Sequence, residues 1–390
     1  MIIRFGNKAI RPTRIRLKDW LLILGLTMAP MTALRIWKVG PAEVLCLLWG
    51  LLALKGAHLS ASDLSRFFFG FIVALLLGSA FGYFIAPSQL SLPGIAVWLY
   101  LGTIAVLTYE GLRKYPYSYN EKLLTALAFF SLFWYLLLYI YSKTVSTTLL
   151  GVSLWYSSRR FSGGGLNPHQ VGVFFTGMSF VFLRKVLKRE LPLLCTFGFL
   201  ANLFLLWETE STTGEAAVVI GIFIALYFGL SEAYPRQKGI IFVVLAGLAV
   251  VVGVVGFRIW MRLFMNWLAD DSNGMGRLEI FASFPETFLK SPLFGLGPGT
   301  HAKNGAIEFH NTYLEILAAS GLVGGIIFVV FTVRLVRKVI KADWRLLPII
   351  VALYAFGLAG FAMRRLIYWG LTAFVLTLAE QIRAEMNQNT

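Results

Sequence analysis

Long apolar runs recur from one end of the chain to the other, and they constrain the fold more than any other feature of the sequence. Of the 390 residues, 58% are hydrophobic and only 14% are charged, whereas soluble domains carry about 25% charged residues. A spanning helix needs about 20 apolar residues. Twelve runs approach that length: 19–37, 40–55, 67–87, 92–112, 123–142, 168–183, 191–207, 215–231, 239–257, 312–333, 346–362 and 366–382. We therefore predict an all-α polytopic membrane protein, with about twelve transmembrane helices in a single domain over residues 1–390.

The net charge of +16 is spread over the short segments between these runs. A nucleic-acid-binding protein gathers its basic residues on one face or domain, so this distribution argues against nucleic acid as a partner. Cytoplasmic loops of membrane proteins are enriched in Lys and Arg. With the N-terminus inside, 23 of the 35 Lys and Arg residues fall in inner segments and 12 fall outside. Both termini are therefore predicted to be cytoplasmic, with membrane lipids around the helices.

Two outer segments are long, residues 143–167 and residues 258–311. The first contains RRFSGGGLNPH, which places Arg159 and Arg160 on the face where basic residues are disfavoured. These arginines are either anchors to lipid headgroups or ligands for an anionic substrate. Asn167 followed by Pro168 is typical of an N-cap and a first helical position. The next span is therefore predicted to begin at Pro168.

The second outer segment contains a stretch with helical periodicity, GRLEIFASFPETFLK, which Pro285 is expected to split. It continues with SPLFGLGPGTH, which contains Gly295, Gly297 and Gly299. A phosphate-binding P-loop is excluded because its lysine and its preceding strand are missing. The glycines are expected to form a tight turn instead.

The string EFHNTYLE places ionisable residues at the entrance of the tenth run, where charge near hydrocarbon is costly. The amide ends of this helix disfavour a positive charge, so His310 is expected to be neutral, as a general base must be. Glu308 is the alternative base. The other interpretation is a histidine that only caps the helix. Helical spacing puts His310 on one face with Tyr313, Leu314 and Leu317, and it puts Asn311 and Glu315 on the neighbouring face.

Farther along the tenth run, Gly321 and Gly325 form a pair of small residues that favours close helix packing. Four aromatic residues near the outer segments are candidates for stacking on sugar rings: Trp155, Tyr156, Phe309 and Tyr313. No disulfide framework, zinc spacing or Asp-x-Asp pair occurs in the sequence. We therefore predict no metal and no cofactor.

The string SPLFGLGPGTH, followed after a short insert by FHNTYLEILAASGLVGGIIF, resembles the signature of the O-antigen ligase and polymerase superfamily of bacterial envelopes. Arg277 before this string, the stretch RFSGGGLNPHQVG before the sixth run, and the large outer loop between the ninth and tenth runs support the resemblance. The resemblance covers residues 155–335 by motif and the rest of the chain by topology alone.

This resemblance implies a GT-C-like membrane glycosyltransferase of the bacterial inner membrane, with its active site on the periplasmic face. Such enzymes transfer a glycan from a polyprenyl diphosphate carrier to a hydroxyl group, without nucleotide sugar or metal. In a ligase the acceptor is a sugar of the lipid A core, and in a polymerase it is another lipid-linked repeat unit. His310 matches the family histidine proposed as the base, and Arg277 matches an arginine proposed to bind the diphosphate.

One family position differs in this chain. Where the family often has an arginine before the eighth span, this sequence has TESTTGEAA, with Thr213 at that position. Arg160 or Arg364 is therefore expected to replace the missing arginine. Guanidinium groups suit the task because they match phosphate oxygens with paired hydrogen bonds. Asn311 and Tyr313 complete the set of predicted substrate-binding residues.

Two other classes of protein are alternatives to a glycosyltransferase. A secondary transporter also fits twelve spans, but it favours ionisable groups at mid-membrane and internal repeats, and neither is evident in the sequence. A non-catalytic subunit of an envelope assembly complex is opposed only by the histidine and arginine residues described above. Ligase and polymerase are both consistent with the sequence, and the ligase is the first prediction.

Overall fold

The computed structural model describes residues 14–36, 39–54, 61–85, 91–157, 159–255, 261, 280–299 and 309–388. Arg277 and Glu308, two of the predicted site residues, lie outside these ranges. The described part of the chain contains thirteen α-helices: α1 Asp19–Met28, α2 Pro41–Leu54, α3 Asp63–Ile85, α4 Ser91–Arg113, α5 Tyr117–Thr144, α6 Pro168–Leu187, α7 Pro192–Glu208, α8 Thr212–Ala233, α9 Lys238–Val255, α10 Phe284–Lys290, α11 Thr312–Ala342, α12 Leu347–Phe356 and α13 Leu366–Gln388.

The helices confirm the predicted all-α polytopic membrane fold. One helix overlaps each of the twelve apolar runs, and α10 is an additional short helix. Six helices are long and apolar enough to cross a membrane by length and composition: α3, α4, α5, α6, α8 and α11. The segment between α5 and α6 adds two small antiparallel hairpins, β1 Thr148–Leu149 with β2 Val152–Ser153, and β3 Trp155–Tyr156 with β4 Arg160–Phe161.

Two of the predicted spans are wrong in length. The run 19–37 is helical only to Met28, because Pro30 lacks an amide hydrogen and the chain then forms a 3-10 turn over Thr32–Leu34. The run 346–362 is helical from Leu347 to Phe356 and then turns through glycines. Helices α1 and α12 have 10 residues each, so each is about 15 Å long, half of a hydrocarbon core of about 30 Å.

The core is rich in aromatic side chains and centres on α13, whose residues from Leu366 to Ala379 are all buried. Trp369 has no exposed surface and packs against Phe67 and Phe68 of α3 and Phe331 of α11, with ring centroids 4.5 to 6.5 Å apart. Aromatic pairs at these distances add stabilisation beyond the area that they bury. Helix α13 is thus the element around which the others are assembled.

Helix α11 is interrupted at Gly321, so the predicted close pairing of helices through Gly321 and Gly325 is wrong at Gly321. Gly321 has φ 61° and ψ −161°, which a residue with a side chain rarely adopts. Gly321 packs against the irregular backbone at Leu293 and not against a helix. A Cβ at this position would lie 2.4 Å from that backbone. The break in α11 therefore accommodates the glycine-rich segment that follows α10.

That glycine-rich segment, residues 291–299, forms the predicted tight turn. Gly295, Gly297 and Gly299 all have positive φ values, between 75° and 82°. The amides of Leu296 and Gly297 donate hydrogen bonds of 2.9 Å to carbonyl groups of α11. Pro285 splits the preceding stretch as predicted, since a turn at residue 283 precedes α10 and Pro285 lies in its first turn. The turn is therefore hydrogen-bonded to α11 at Ala318 and Ala319.

Candidate active site

The predicted site residues that the structure describes lie at one end of the helix bundle, which we call the site end. It consists of the first turns of α6, α8 and α11 and of three connections: residues 29–36, residues 145–157 with 159–167, and residues 357–365. Hydrogen bonds join these parts, among them Ala33 N to Gly164 O at 3.1 Å and Thr312 N to Gly357 O at 2.8 Å. The other end, which we call the opposite end, contains the N-terminus of α5, the C-terminus of α6 and the connection between α11 and α12.

His310 lies immediately before α11 and not on its helical face, which corrects the prediction that it shares a face with Tyr313. Its φ is 52°, in the left-handed region, and its side chain is partly buried. Residues other than glycine adopt this conformation at a cost, and such strain concentrates at functional sites. The residue directly precedes Asn311, the N-cap at the amide end of α11.

Asn311 and Glu315 hold this backbone in place. The Asn311 side chain is the N-cap of α11, because its oxygen accepts hydrogen bonds from Tyr313 N at 2.9 Å and Leu314 N at 3.1 Å. The buried Glu315 carboxylate accepts a hydrogen bond of 3.0 Å from the amide of Phe309. His310 therefore lies between two residues whose positions are fixed by hydrogen bonds.

The entrance of α11 is fastened to the connection between α12 and α13. Asn311 Nδ2 donates to Leu358 O at 2.7 Å, and Thr312 Oγ1 donates to Gly360 O at 2.9 Å. Arg364 ends the 3-10 turn of this connection, and its guanidinium carbon lies 5.7 Å from the centre of the Phe361 ring. The structure thus places the predicted residues His310 and Arg364 on segments in direct contact. Arg365 follows at once, and we did not predict it from the sequence, although two successive arginines before an apolar run were visible.

Arg160 reaches the connection between α7 and α8. Its Nε donates to Thr209 O at 3.1 Å and its Nη2 donates to Glu210 O at 3.0 Å. Burial lowers the pKa of the Arg160 guanidinium, and Glu210 and Tyr156 oppose that shift, so the group stays positively charged. The guanidinium is therefore held on the connection that leads to Thr213, the position where the resemblance implied an arginine. Arg159 is exposed, and within the described ranges its side chain makes no comparable hydrogen bond.

A second histidine, His169, was missed in the sequence. Its Nδ1 lies 2.9 Å from Ser211 Oγ, and its amide donates to Asn167 Oδ1 at 2.8 Å, which confirms the predicted cap of α6. Ser211 in turn caps α8. No local pattern indicates this pair, because His169 and Ser211 are 42 residues apart in the sequence. The pair joins the first turns of α6 and α8 beside Arg160.

The predicted stacking residues do not all face solvent. Phe309 is fully buried, with its ring 5.6 Å from that of Phe284, and only 9% of Trp155 is exposed. Lys143 covers the Trp155 ring, with its Nζ 4.2 Å from the ring centre. Tyr156, which is 41% exposed, and the partly buried Tyr313 remain candidates for contact with a substrate.

Tyr313 also lines an open apolar cavity of about 560 Å³ along α11 and α12. Its hydroxyl donates to Tyr354 O at 2.8 Å, so the polar end of the ring is occupied by backbone. Other residues that line the cavity are Ile316, Leu317, Phe328, Thr332 and Tyr354. The cavity runs from the entrance of α11 toward the middle of the helix.

Within the described ranges, no three His, Cys, Asp or Glu side chains are grouped in a way that could hold a metal ion. The polar side chains described at the site end include arginines, histidines, and serine and asparagine caps. Such groups suit the binding of an anion and the transfer of a proton.

Comparison with known proteins identifies a family for part of the chain. Residues 197–329, from α7 into α11, match the family model described as O-Antigen ligase. A search of curated proteins finds no match. The matched segment includes Arg277 and His310 and ends before Arg364. The match confirms, for this segment, the resemblance to the O-antigen ligase and polymerase superfamily that the motifs indicated.

Proposed function

We propose that this protein transfers a glycan from a polyprenyl diphosphate carrier to a hydroxyl group of a glycolipid, as an O-antigen ligase with a GT-C-like architecture. The main support is the position of His310. It lies inside the segment matched to the O-antigen ligase family, and its neighbour Asn311 is hydrogen-bonded to a connection that carries two arginines. The site end is assigned to the periplasmic face of the inner membrane because most Lys and Arg residues lie in segments at the opposite end.

The reaction requires a base on one side of the anomeric carbon and a cationic site on the other. The acceptor oxygen attacks this carbon, its proton passes to His310, and the bond to phosphate breaks so that the electron pair leaves with the polyprenyl diphosphate. General base catalysis of this kind contributes about 10²- to 10⁴-fold. Positive groups that are held in place before the reaction stabilise the charge that develops on the leaving diphosphate.

Arg277 and Arg160 are the arginines that we assign to the donor diphosphate. Support for Arg160 comes from its two hydrogen bonds to the carbonyl groups of Thr209 and Glu210, which hold the guanidinium on the connection before Thr213. Among the described residues, its Nη1 has no hydrogen-bond partner, so this nitrogen is available to a phosphate oxygen. Arg364 is the other candidate, because the connection that carries it is hydrogen-bonded to the entrance of α11.

The apolar cavity beside Tyr313 suits the polyprenyl chain of the donor. It starts next to the entrance of α11 and is lined by aliphatic and aromatic side chains. A chain that lies there keeps its hydrocarbon in contact with apolar surface while its diphosphate reaches the arginines. The reaction as proposed uses neither metal nor cofactor.

Deletion of the gene separates this function from its alternatives. A ligase predicts that the deletion strain accumulates lipid-linked glycan polymer while its glycolipid carries none, and that the wild-type gene restores transfer. A polymerase predicts single repeat units on the glycolipid instead of a ladder. A strain in which both the length and the attachment of the glycan are unchanged would contradict glycan transfer by this protein.

A further inference from the structure

The connection between α7 and α8 consists of the residues from Thr209 to Ser211, and its backbone is strained. Glu210 has φ 47°, in the left-handed region that residues with a side chain adopt at a cost. Such a conformation persists where the surrounding structure holds it. The two carbonyl groups that fix Arg160, those of Thr209 and Glu210, both belong to this connection. The position of the Arg160 guanidinium therefore depends on the contacts that hold these three residues.

The side chain of His169, in the first turn of α6, contacts the last residue of this connection. Its Nδ1 lies 2.9 Å from Ser211 Oγ. The same oxygen accepts a hydrogen bond of 3.4 Å from Gly214 N in the first turn of α8. Ser211 has no exposed surface, so its hydroxyl must find its partners within the protein. His169 thus fixes the hydroxyl group that caps α8, one residue after the strained Glu210.

Packing around Gly172 holds Ser211 in place as well. A Cβ at Gly172 would lie 2.8 Å from Ser211 Oγ and 2.9 Å from Ser211 Cβ, so only glycine fits there without moving the serine. The same Cβ would lie 3.7 Å from the ring of Phe356, the last residue of α12. Gly357 follows, and its carbonyl group accepts the hydrogen bond from the entrance of α11. Ser211 therefore lies between α6 and the segment that leads to the proposed base.

We propose that His169 is a positioning residue of the transfer reaction. Through Ser211 it holds the connection between α7 and α8 in the conformation that fixes the Arg160 guanidinium for the donor diphosphate. The inference rests on the proposed function, because the donor is a substrate of that reaction. The two histidines of the site end then have different tasks. His310 accepts the proton of the acceptor hydroxyl, whereas His169 acts on donor binding through Arg160.

Two amide substitutions distinguish the ring nitrogens of His169. An asparagine amide places a polar atom near the position of Nδ1, whereas a glutamine amide places one near the position of Nε2. His169→Asn can therefore keep the contact with Ser211, while His169→Gln and His169→Ala lose it. We expect the glutamine and alanine variants to raise the donor KM about three- to tenfold, as the loss of one hydrogen bond does. The asparagine variant should stay within about twofold of the wild type, and kcat should change less than twofold in all three.

A double variant tests whether His169 acts through Arg160. If it does, His169→Ala combined with Arg160→Ala should have the same donor KM as Arg160→Ala alone, because the two residues share one effect. Purified protein in liposomes is given a labelled polyprenyl diphosphate glycan at varied concentration. The acceptor, at a fixed concentration, is either a core glycolipid or a second lipid-linked glycan. Gln237→Ala, at an exposed position before α9 at the opposite end, is the control and should keep the donor KM of the wild type.

The outcomes separate this inference from the proposed function. If His169→Gln keeps the donor KM of the wild type, or if His169→Asn raises it as much as His169→Ala does, the contact with Ser211 does not position Arg160. A fall in kcat with an unchanged donor KM, or effects that multiply fully in the double variant, would also overturn the inference. In each of these cases the proposed function stands. If the folded wild type transfers glycan to neither acceptor, the proposed function fails and the inference fails with it.

Discussion

The two ends of the bundle both carry buried or partly buried arginine, but they satisfy its charge in different ways. At the opposite end, Arg184 is 1% exposed and forms ion pairs with Glu121 and with Asp343, the latter at 3.1 Å. At the site end, Arg160 is held by carbonyl oxygens rather than by carboxylates. A carbonyl group fixes a guanidinium without neutralising it. The ion pairs of Arg184 therefore join helices, whereas the carbonyl contacts of Arg160 leave its charge available, as the proposed function requires.

The network at the opposite end connects four parts of the chain. Glu121 of α5 contacts Arg184 and Lys185 of α6, Lys185 and Lys188 contact Glu190 before α7, and Arg184 contacts Asp343 after α11. Removal of one member of such a network leaves a buried charge without its partner, which is costly. We therefore expect substitutions at the opposite end to change stability and substitutions at the site end to change the reaction.

The largest effect is expected for His310→Ala. Loss of the base should reduce glycan transfer by about 10²- to 10⁴-fold, while the amount of protein in the membrane and its melting temperature stay close to those of the wild type. The measurement is transfer per mole of purified protein. Transfer within threefold of the wild type would remove His310 from the chemistry and weaken the contrast between the two ends.

Glu121→Gln tests the opposite end. It should destabilise the protein by about 3 to 5 kcal/mol, because Arg184 and Lys185 lose a buried carboxylate. Thermal unfolding in detergent measures the loss, and Glu385→Gln, at an exposed position, is the control. Transfer by the fraction that is folded should be unchanged. A variant as stable as the wild type but inactive would reverse the roles of the two ends.

Arg160→Lys tests whether the Arg160 guanidinium binds the donor at the site end. The ammonium group keeps the charge but cannot make the forked contacts of a guanidinium, so we expect the donor KM to rise by about tenfold. Arg160→Ala should have a similar or larger effect. Steady-state kinetics with varied donor and a fixed acceptor give this value. A lysine variant with the donor KM of the wild type would reduce Arg160 to a simple charge anchor.

The smallest effect is a pH dependence at the opposite end. Burial raises the pKa of Glu190, but Lys185 and Lys188 outweigh it and hold the pKa below its usual value. A carboxyl group with a lowered pKa stabilises the folded state above its unfolded pKa, and this stabilisation is lost as the pH falls through the lowered value. Because Glu190 is 43% exposed, Glu190→Gln should cost about 0.2 to 1 kcal/mol at pH 7.

Unfolding of the wild type and of Glu190→Gln at several pH values between 7 and about 3 measures this difference. The two proteins should converge in stability at the acidic end. A difference that grows as the pH falls would have the wrong sign for a carboxylate held by lysines.

Local signals in the sequence predicted several parts of this structure. Apolar runs indicated the helices, Asn167 and Pro168 marked the start of α6, and Pro285 marked the division before α10. Each of these depends on a few neighbouring residues whose conformational preferences are strong. The entrance of α11 was located from the start of the tenth apolar run at residue 312, whereas the role of Asn311 as its N-cap was not predicted.

The parts that could not be predicted depend on contacts between distant segments. Residues 29–36 are mostly apolar, so hydrophobicity did not distinguish them from the end of a span. Pro30 was a local signal against a helix, but the contact of this segment with Gly164 joins distant parts of the chain. The left-handed conformation of His310 depends on the later Glu315. The contacts of Arg160 with Thr209 and of His169 with Ser211 join segments more than 40 residues apart. Such contacts leave no periodic pattern in the sequence.

A chelator decides whether the histidine and arginines of the site end transfer a glycan without a metal. Purified protein in liposomes is treated with EDTA and supplied with a labelled polyprenyl diphosphate glycan and the acceptor that it uses. We expect transfer at the rate of the untreated protein, with release of polyprenyl diphosphate, and transfer reduced by about 10²-fold or more in His310→Ala. Loss of transfer with EDTA that returns on addition of Mg²⁺ or Mn²⁺ would contradict this account.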